Sequence, residues 1–458
     1  MSEKKKKVGF GGLSGNGVSP LAQIMKLKGY DVYGCDRSFD QGRDEHNKKA
    51  LKSVGIKIGT EEGEWLKKDF EALYVSTALE DTVPLIKKAK ELGITMKFRP
   101  DLLAEIFHQY TYNIAIGGTS GKTTITAMAG YVLETLKQLP VVVNGGLLKN
   151  YEDRKGLPNF IYNEGNICVI EADESNGSIL KYHPYMGVIS SVSKDHKSLE
   201  DIIAIFNEFA NKCQQGLIIN EDCRLAAEIK HPRKQTITYS IKNPKADFYA
   251  GNIEPLPDGT KYSFYGKSYK LNLIGAFNVS NAMAAIAVCA QLGIDKHDAA
   301  KALEGFLGTK RRLEVMGVNK GIAVFNDFAH NPEKVAGSLS ALKAYEGRLI
   351  VMFQPHGFDP MKLTGREIME SFAKWMAKED VLVMPEIYFV GGTADKDISS
   401  KILVDYASSI GVNALLIEKR EDVKKFLLDN AKEGDRIVIM GARDNSLSDF
   451  AKEVLEDL

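Results

Sequence analysis

The sequence predicts an α/β protein built as three units in series, the middle one carrying a β-hairpin insert. Three observations carry that prediction. The chain has 458 residues, more than one hydrophobic core ordinarily serves, so two or three domains are expected. Short apolar runs alternate with helix-patterned segments at both ends of the chain, the signature of parallel strands connected by helices. Between residues 246 and 274 this pattern gives way to alternating side chains around the turn "PDG", as in antiparallel hairpins.

The first unit reads as strand "KKVGFGG", helix "SPLAQIMKLKGY", strands "DVYGCD" and "ALYVSTAL", and helix "VPLIKKAKELG". The helical "RPDLLAEIFHQY" closes it near residue 109. The second unit, 110–308, opens with strand "YNIAIGG" and helix "KTTITAMAGYVLETLKQL". Strands "NICVIEADES" and "YMGVISSVS" follow, then the hairpin region and helix "NVSNAMAAIAVCAQLG". The third unit, 309–458, has strands "GIAVFNDF", "RLIVMFQP", "DVLVMPEIY", "NALLIE" and "DRIVIMG", and ends in helix "SLSDFAKEVLEDL".

Composition narrows the function classes. Sixty basic side chains balance sixty acidic ones, which argues against a nucleic-acid-binding surface. The five cysteines are scattered, odd in number and form no CxxC pair, so reduced thiols are expected rather than disulfides or zinc. The basic start "MSEKKKKVGF" lacks the apolar core of a signal peptide. No run approaches the roughly 18 apolar residues of a membrane span. A cytoplasmic monomer or homodimer is expected.

The stretch "NIAIGGTSGKTTIT" (113–126) places a glycine-rich turn between a strand and a helix. Gly117, Gly118 and Gly121 permit a turn whose N–H groups approach phosphate oxygens with no Cβ between them. The helix adds its positive N-terminal end. In this P-loop pattern Gly118, Thr119, Ser120, Gly121, Lys122, Thr123 and Thr124 form the cradle. Lys122 is placed for the β- and γ-phosphates and Thr123 for Mg2+. Ile116 stands where the strict motif has its first glycine, so the loop is a shortened variant; a ligand-free turn is the plain alternative.

Downstream, "VIEADES" (169–175) delivers Glu171, Asp173 and Glu174 at the C-terminal end of a strand, where α/β ligand sites gather. Mg2+ on a triphosphate takes a carboxylate or two; a solvated acidic strand end is the alternative. In "SSVSKDHKSLED" (190–201) another strand runs into a polar loop with Asp195 and His196 at its tip. Near the N-terminus, "GFGGLSGNGVSPLA" offers Gly9, Gly11, Gly12 and Gly15 to a diphosphate. Asp36 ends the second strand, where an acid meets a ribose or base edge. The spacing Gly9-x-Gly11-x-x-Ser14 departs from the dinucleotide fingerprint, and a dinucleotide role stays open for this domain alone.

Taken in order, these pieces resemble the Mur ligase family, ATP-dependent amide-bond-forming enzymes of cell-wall precursor synthesis. The resemblance rests on "GTSGKTT" at 118–124, Glu171 and the pair Asp195-His196. It rests further on Gly275, Asn278 and Asn281 in "GAFNVSNAMAA", on "RRLE" with Arg311, Arg312 and Glu314, and on "NDFAHNP" with Asp327 and His330. It covers essentially the whole chain. It implies a Rossmann-like UDP-binding domain over 1–109, a P-loop ATPase-like central domain over 110–308, and a Rossmann-like amino-acid-binding domain over 309–458.

The roles follow from the same resemblance. ATP and Mg2+ are the implied cofactors. A UDP-linked acyl substrate and an amino acid or peptide are the implied partners. Lys122, Glu171, His196 and His330 are the catalytic candidates, with Thr123 and Glu171 on one Mg2+ and His196 on a second. Asn278 faces the adenine, Arg312 the phosphates, and Asp327 the ribose or the hinge. Gly11, Gly12, Leu13, Ser14, Gly15 and Asp36 form the UDP turn. A nucleotide-binding regulator with a degenerate site is the competing reading from another class.

Four features depart from the family's alanine-adding branch. The N-terminal glycine turn is longer by about two residues. The acid expected soon after His196 is displaced in "DHKSLED". "GFDPMK" replaces a basic-aromatic run after "FQPH", and "MGARDNSLSDF" replaces a "GAGD"-type turn. They bear on which amine is taken and leave ATP use untouched.

Overall fold

The computed structural model describes residues 5–77, 79–193, 198–231, 233–256, 258–389 and 397–458. Its strands form three sheets, and the glycine turn after Gly11, the loop after Gly117 and the segment after Asp327 each leave the C-terminal edge of one of them. The first has five strands in the order Lys57–Ile58, Asp31–Cys35, Lys7–Gly11, Phe70–Val75, Met96–Phe98. All four pairings are parallel. The first strand in sequence lies at the centre, so the chain order reverses beside Gly11. That reversal opens a crevice outside the strand ends, where ligands of such sheets bind.

The second sheet has ten strands. Its core order is Gly216–Asn220, Met186–Ile189, Tyr112–Gly117, Ile167–Glu171, Val141–Val143. The strand leading into the P-loop is therefore flanked on one side by the strand ending in Glu171 and on the other by the strand leading into Ser190. Both neighbours run parallel to it, with Ile116 in register with Glu171 and Gly117 with Ile189. Near-continuous burial of Ile114, Ala115, Ile116, Val169, Ile170 and Val188 is what a parallel sheet covered on both faces requires. The hairpin insert appears as Phe248–Leu256, Gly259–Phe264 and Lys267–Leu271, consecutive neighbours at one edge.

The third sheet runs Glu314–Asn319, Ile322–Asp327, Arg436–Gly441, Leu349–Gln354, Val381–Met384, Ala414–Leu416. Only the first pairing is antiparallel. All five strands read from the third unit's sequence are present. The Glu314–Asn319 strand was not foreseen: it is an edge strand whose Val315 and Val318 face solvent, so it lacks the buried alternation that marks a strand.

The chain forms two compact units, one of residues 1–251, 263–269 and 280–307, the other of 252–262, 270–279 and 308–458. In the first, one hydrophobic core runs from Val8, Phe10 and Leu21 through Ala115 and Ile170 to Phe206 and Phe209, and a second gathers Leu66, Phe70, Leu73, Leu85 and Ile86. Each of the larger side chains among them contributes about 1.5–3 kcal/mol on burial. All five cysteines are free thiols. Among the described residues no helix is long and apolar enough to cross a membrane.

Candidate active site

Helix Lys122–Thr135 begins directly after Gly121 with no side-chain cap, which leaves its first N–H groups facing the loop. Gly118 at φ +131° and Gly121 at φ +90° hold left-handed conformations. A Cβ on Gly118 would overlap Ser190 Oγ, and one on Gly121 would stand 2.8 Å from Asn281 Oδ1. The loop is fastened to the neighbouring strand end: Thr119 N–H donates to Ser191 O at 3.0 Å and Ser120 N–H to Ser191 Oγ at 2.8 Å. Ser193 N–H donates to Thr119 Oγ1 at 3.1 Å. Thr124 is buried in the first turn. These contacts hold the cradle in shape in advance of any ligand.

Two acids meet the loop. The Thr123 hydroxyl lies 3.0 Å from both Glu171 oxygens, and Gly145 N–H donates to Glu171 Oε2 at 2.9 Å. The Lys122 ammonium donates to Glu174 Oε2 at 2.9 Å and to Gly118 O. Glu174 is buried at 6% exposure and Lys122 is partly buried at 14%. Burial works against the Lys122 charge, but Glu174, Glu171 and Asp173 outweigh it and hold the ammonium above its ordinary range. Burial pushes the Glu174 carboxyl upward while Lys122 pulls it back. Asp173, also opposed by burial, is drawn below the ordinary range by Lys122 and by the N–H of Ser175.

These residues fit Mg2+. Magnesium prefers oxygen ligands, usually one or two from protein and the rest from phosphate and water. Thr123 and Glu171 supply such a pair beside the helix N-terminus. No cluster of three or more His, Cys, Asp or Glu converges as a metal cage among the described residues. Asp195 and His196 lie outside the described residues.

At the N-terminal turn, Gly12 takes φ +80°, and Gly12 and Leu13 N–H both donate to Cys35 O. Asp36 braces the turn. Its Oδ2 accepts Ser14 N–H at 2.9 Å and its Oδ1 accepts Ser38 N–H at 2.9 Å and the Ser38 hydroxyl at 2.6 Å. The Ser14 hydroxyl donates to Asp44 at 2.8 Å, and Gly15 N–H closes on Gly12 O.

In the second unit, Asp327 ends its strand almost fully buried. It accepts Leu313 N–H at 3.1 Å and the Ser338 hydroxyl. Burial raises its carboxyl above the ordinary range despite those donors. Arg311 and Leu313 both take left-handed φ, +59° and +47°. Asp327 thus pins the segment that carries Arg312. Arg311 is buried, donates to Gly441 O at 2.7 Å, and burial lowers its pKa to about 10. The Arg311 and Arg312 guanidinium groups each lie 5.0 Å from the Phe328 ring centroid. Asn278 is buried, and its Nδ2 donates to Ile274 O at 2.9 Å.

His330 Nδ1 lies 2.9 Å from Phe328 O. A carbonyl only accepts, so Nδ1 carries the proton and Nε2 keeps its lone pair. Burial, then the Lys334 charge, holds His330 well below the usual imidazole range. Its ring packs edge-on against His356, 5.4 Å between centroids. His356 follows the Leu349–Gln354 strand, and register places Gln354 beside Gly441 and Asp327 beside Met440. Asp327, His330, His356 and the "GARDNS" turn therefore cluster at three adjacent strand ends. Gly145, the Lys122–Glu174 pairing, Ser190–Ser191 and His356 were not singled out as site residues from sequence. The "NGG" after a valine strand was the available signal for Gly145.

A glycine-rich loop fastened to a carboxylate strand, a glycine turn in an N-terminal parallel sheet and a third α/β sheet make up a three-part ligase architecture. The chain belongs to the Mur ligase family. The family's catalytic domain matches residues 7–111, its middle domain residues 116–289 and its glutamate ligase domain residues 311–443.

Among curated relatives, the UDP-N-acetylmuramate–L-alanine ligase of Dictyoglomus turgidum is 33% identical over 462 residues, covering 95% of this chain and 94% of that protein. The ligase of the same name from Caldicellulosiruptor saccharolyticus is 31% identical over 450 residues, 95% of each. The crystal structure of the UDP-N-acetylmuramate–alanine ligase MurC of Thermotoga maritima superposes with a TM-score of 0.80 at 25% identity, covering 98% of both chains.

Proposed function

We propose that this chain is an ADP-forming ligase that joins an amino acid, L-alanine by its relatives, to the carboxylate of a UDP-N-acetylmuramate-type substrate. The observation that carries the reading is the Lys122–Thr123–Glu171 constellation on the P-loop. Amide formation from a free carboxylate is uphill, so a carboxylate oxygen first attacks the γ-phosphorus and the bond to ADP breaks. The amine then attacks the acyl phosphate, phosphate leaves and the nitrogen loses a proton.

Phosphoryl transfer needs positioning and charge neutralisation more than covalent help. Lys122, held charged, supplies the fixed cation, and the loop N–H groups supply oriented donors. Thr123 and Glu171 would hold Mg2+, which would supply neutralisation of phosphate charge. Arg312 is assigned to the charge that develops on the phosphoryl group, with Asp327 keeping its segment in shape and Asn278 on the adenine. His196 is assigned to a second metal. His330, neutral near pH 7 with Nε2 open, is the base for the amine proton. Gly11, Gly12, Leu13, Ser14, Gly15 and Asp36 are assigned to the UDP moiety, and a cytoplasmic monomer or homodimer is kept.

A second reading concerns the amine alone. Arg443 stands exposed at φ +61° where the alanine-adding pattern has a glycine, and "GFDPMK" follows His356. Both favour a peptide or another amino acid, as in murein-tripeptide recycling or the assembly of another wall polymer such as pseudomurein. A nucleotide-binding regulator with a degenerate site is the competing reading from another class: the retained Lys122, Glu171 and His196 argue against it, the displaced acid after His196 favours it, and Mg·ATP binding with no amine-dependent turnover would support it.

The chemistry is tested with UDP-N-acetylmuramate labelled with 18O in its carboxylate. One label arriving in the released phosphate supports the acyl phosphate route. Unlabelled phosphate during amide formation excludes it.

A further inference from the structure

Between the N-terminal turn and the metal-holding carboxylate lies a row of buried polar groups that the reaction itself does not use. Ser19, Gln23, Asn144 and Asn159 are each at most 2% exposed. The Asn159 side chain donates to Ser19 Oγ at 2.9 Å, and the Ser19 hydroxyl donates to Gly15 O at 3.0 Å. The Asn159 main-chain carbonyl accepts Asn144 N–H at 3.0 Å. The next N–H, that of Gly145, holds Glu171, and Glu171 meets Thr123.

Gln23 locks the crossing from the side. Its amide nitrogen donates to Leu157 O and Asn159 Oδ1, both at 3.2 Å, and its oxygen accepts Leu157 N–H at 2.9 Å. Gly156, at φ +88°, is required there because a Cβ would overlap Gln23 Oε1. Gly145 is required likewise, since its Cβ would overlap Glu171 Oε2. Strand pairing of Val143 with Phe160 continues into the Asn144–Asn159 bond.

Burying this many polar atoms over more than 130 positions of sequence separation offers less stability than an apolar interface of the same size. A hydrogen-bonded polar network instead fixes one arrangement of its members; of these four side chains the Asn144 Oδ1 alone lacks a partner among the described residues.

We propose that Asn159 is a positioning residue that couples the Gly11–Gly15 turn to Glu171, so that a nucleoside-diphosphate ligand at the turn and Mg·nucleotide at the P-loop each strengthen binding of the other. Its side chain reports on the turn, and its carbonyl fixes Asn144–Gly145 and with them the carboxylate. Displacement of Gly15 by a bound diphosphate shifts Ser19, and through Asn159 the N–H that orients Glu171. The inference rests on the assignment of those two sites under the proposed function.

The test is calorimetric titration of the full chain with UDP-N-acetylmuramate, with and without Mg·adenylyl imidodiphosphate. The wild type is expected to bind the UDP-sugar at least about fivefold tighter with the nucleotide present, within the usual range of coupling, and reciprocally. Asn159→Ala keeps the carbonyl and removes the link to Ser19. It is expected to bind each ligand alone within about threefold of wild type, with the coupling factor falling toward 1. Ser19→Ala removes a single hydroxyl, should fold if Asn159→Ala does not, and is expected to behave the same way. Undiminished coupling in a folded variant, or no coupling in the wild type, overturns the proposal. A wild type that binds neither ligand refutes the underlying site assignment and the proposal with it.

Discussion

Replacing Lys122 by methionine separates what that lysine does for the fold from what it does for the reaction. The Lys122–Glu174 pair is buried, with 6% exposure on the acid. Removing one partner of a buried pair leaves an uncompensated charge and costs roughly 3–5 kcal/mol. Part of that is relieved by protonation of Glu174, whose carboxyl burial already pushes upward. Adding Glu174→Gln removes the orphaned charge and should recover most of the loss, because neutral replacements of buried pairs are often near neutral in stability. Activity should not recover, since the cation facing the phosphates is still absent. A deficit of about 10²–10³-fold is expected from the loss of one fixed electrostatic contact.

Urea unfolding and ADP release on the single and double variants read the two effects separately. Equal stability of Lys122→Met and wild type would show that the pair is not buried as described. Return of activity in the double variant would refute the catalytic assignment.

Further outcomes follow from the same geometry. Gly118→Ala should abolish nucleotide binding and cost on the order of 1–3 kcal/mol, from left-handed strain and overlap with Ser190; calorimetry with Mg·ATP and a thermal melt check both. Asp36→Ala removes three hydrogen bonds that brace the turn, so KM for the UDP substrate should rise by more than KM for ATP. His330 has a folded-state pKa below its unfolded value. The unfolded chain therefore binds more protons, and stability falls as pH drops through about 6.5 toward the lower folded value. His330→Gln should flatten that slope in urea titrations between pH 7 and 5; an unchanged slope would show that His330 is not buried neutral.

The P-loop was legible because its chemistry is local. Glycines before Lys122 and Thr123, set between a strand and a helix, leave few other uses for such a turn, and Gly118 and Gly121 take the left-handed conformations that the turn requires. The alternation of strands and helices was legible for a related reason: Val169, Ile170, Ile350 and Val438 are buried on parallel strands, and burial on both faces writes a continuous apolar run.

What distant segments contribute was not legible. Gly145 N–H reaches Glu171 across 26 residues and Asn159 reaches Ser19 across 140, with nothing in either local pattern to announce the partner. Asp36 was read as a ligand contact by its place at a strand end, and Asp327 as a contact to the ribose or the hinge by the family resemblance. The structure shows their oxygens already engaged by backbone N–H groups and serine hydroxyls, a role that only tertiary packing discloses.

The central claim is tested most directly by measuring ADP formation from Mg·ATP with UDP-N-acetylmuramate, in the presence of each of the twenty amino acids, their D-isomers and preformed murein peptides in turn. The account predicts turnover that requires both the UDP-sugar and an amine, with L-alanine the first expected and a peptide the second. ADP formation independent of both partners, or none with any combination in a protein that binds Mg·ATP, would contradict it.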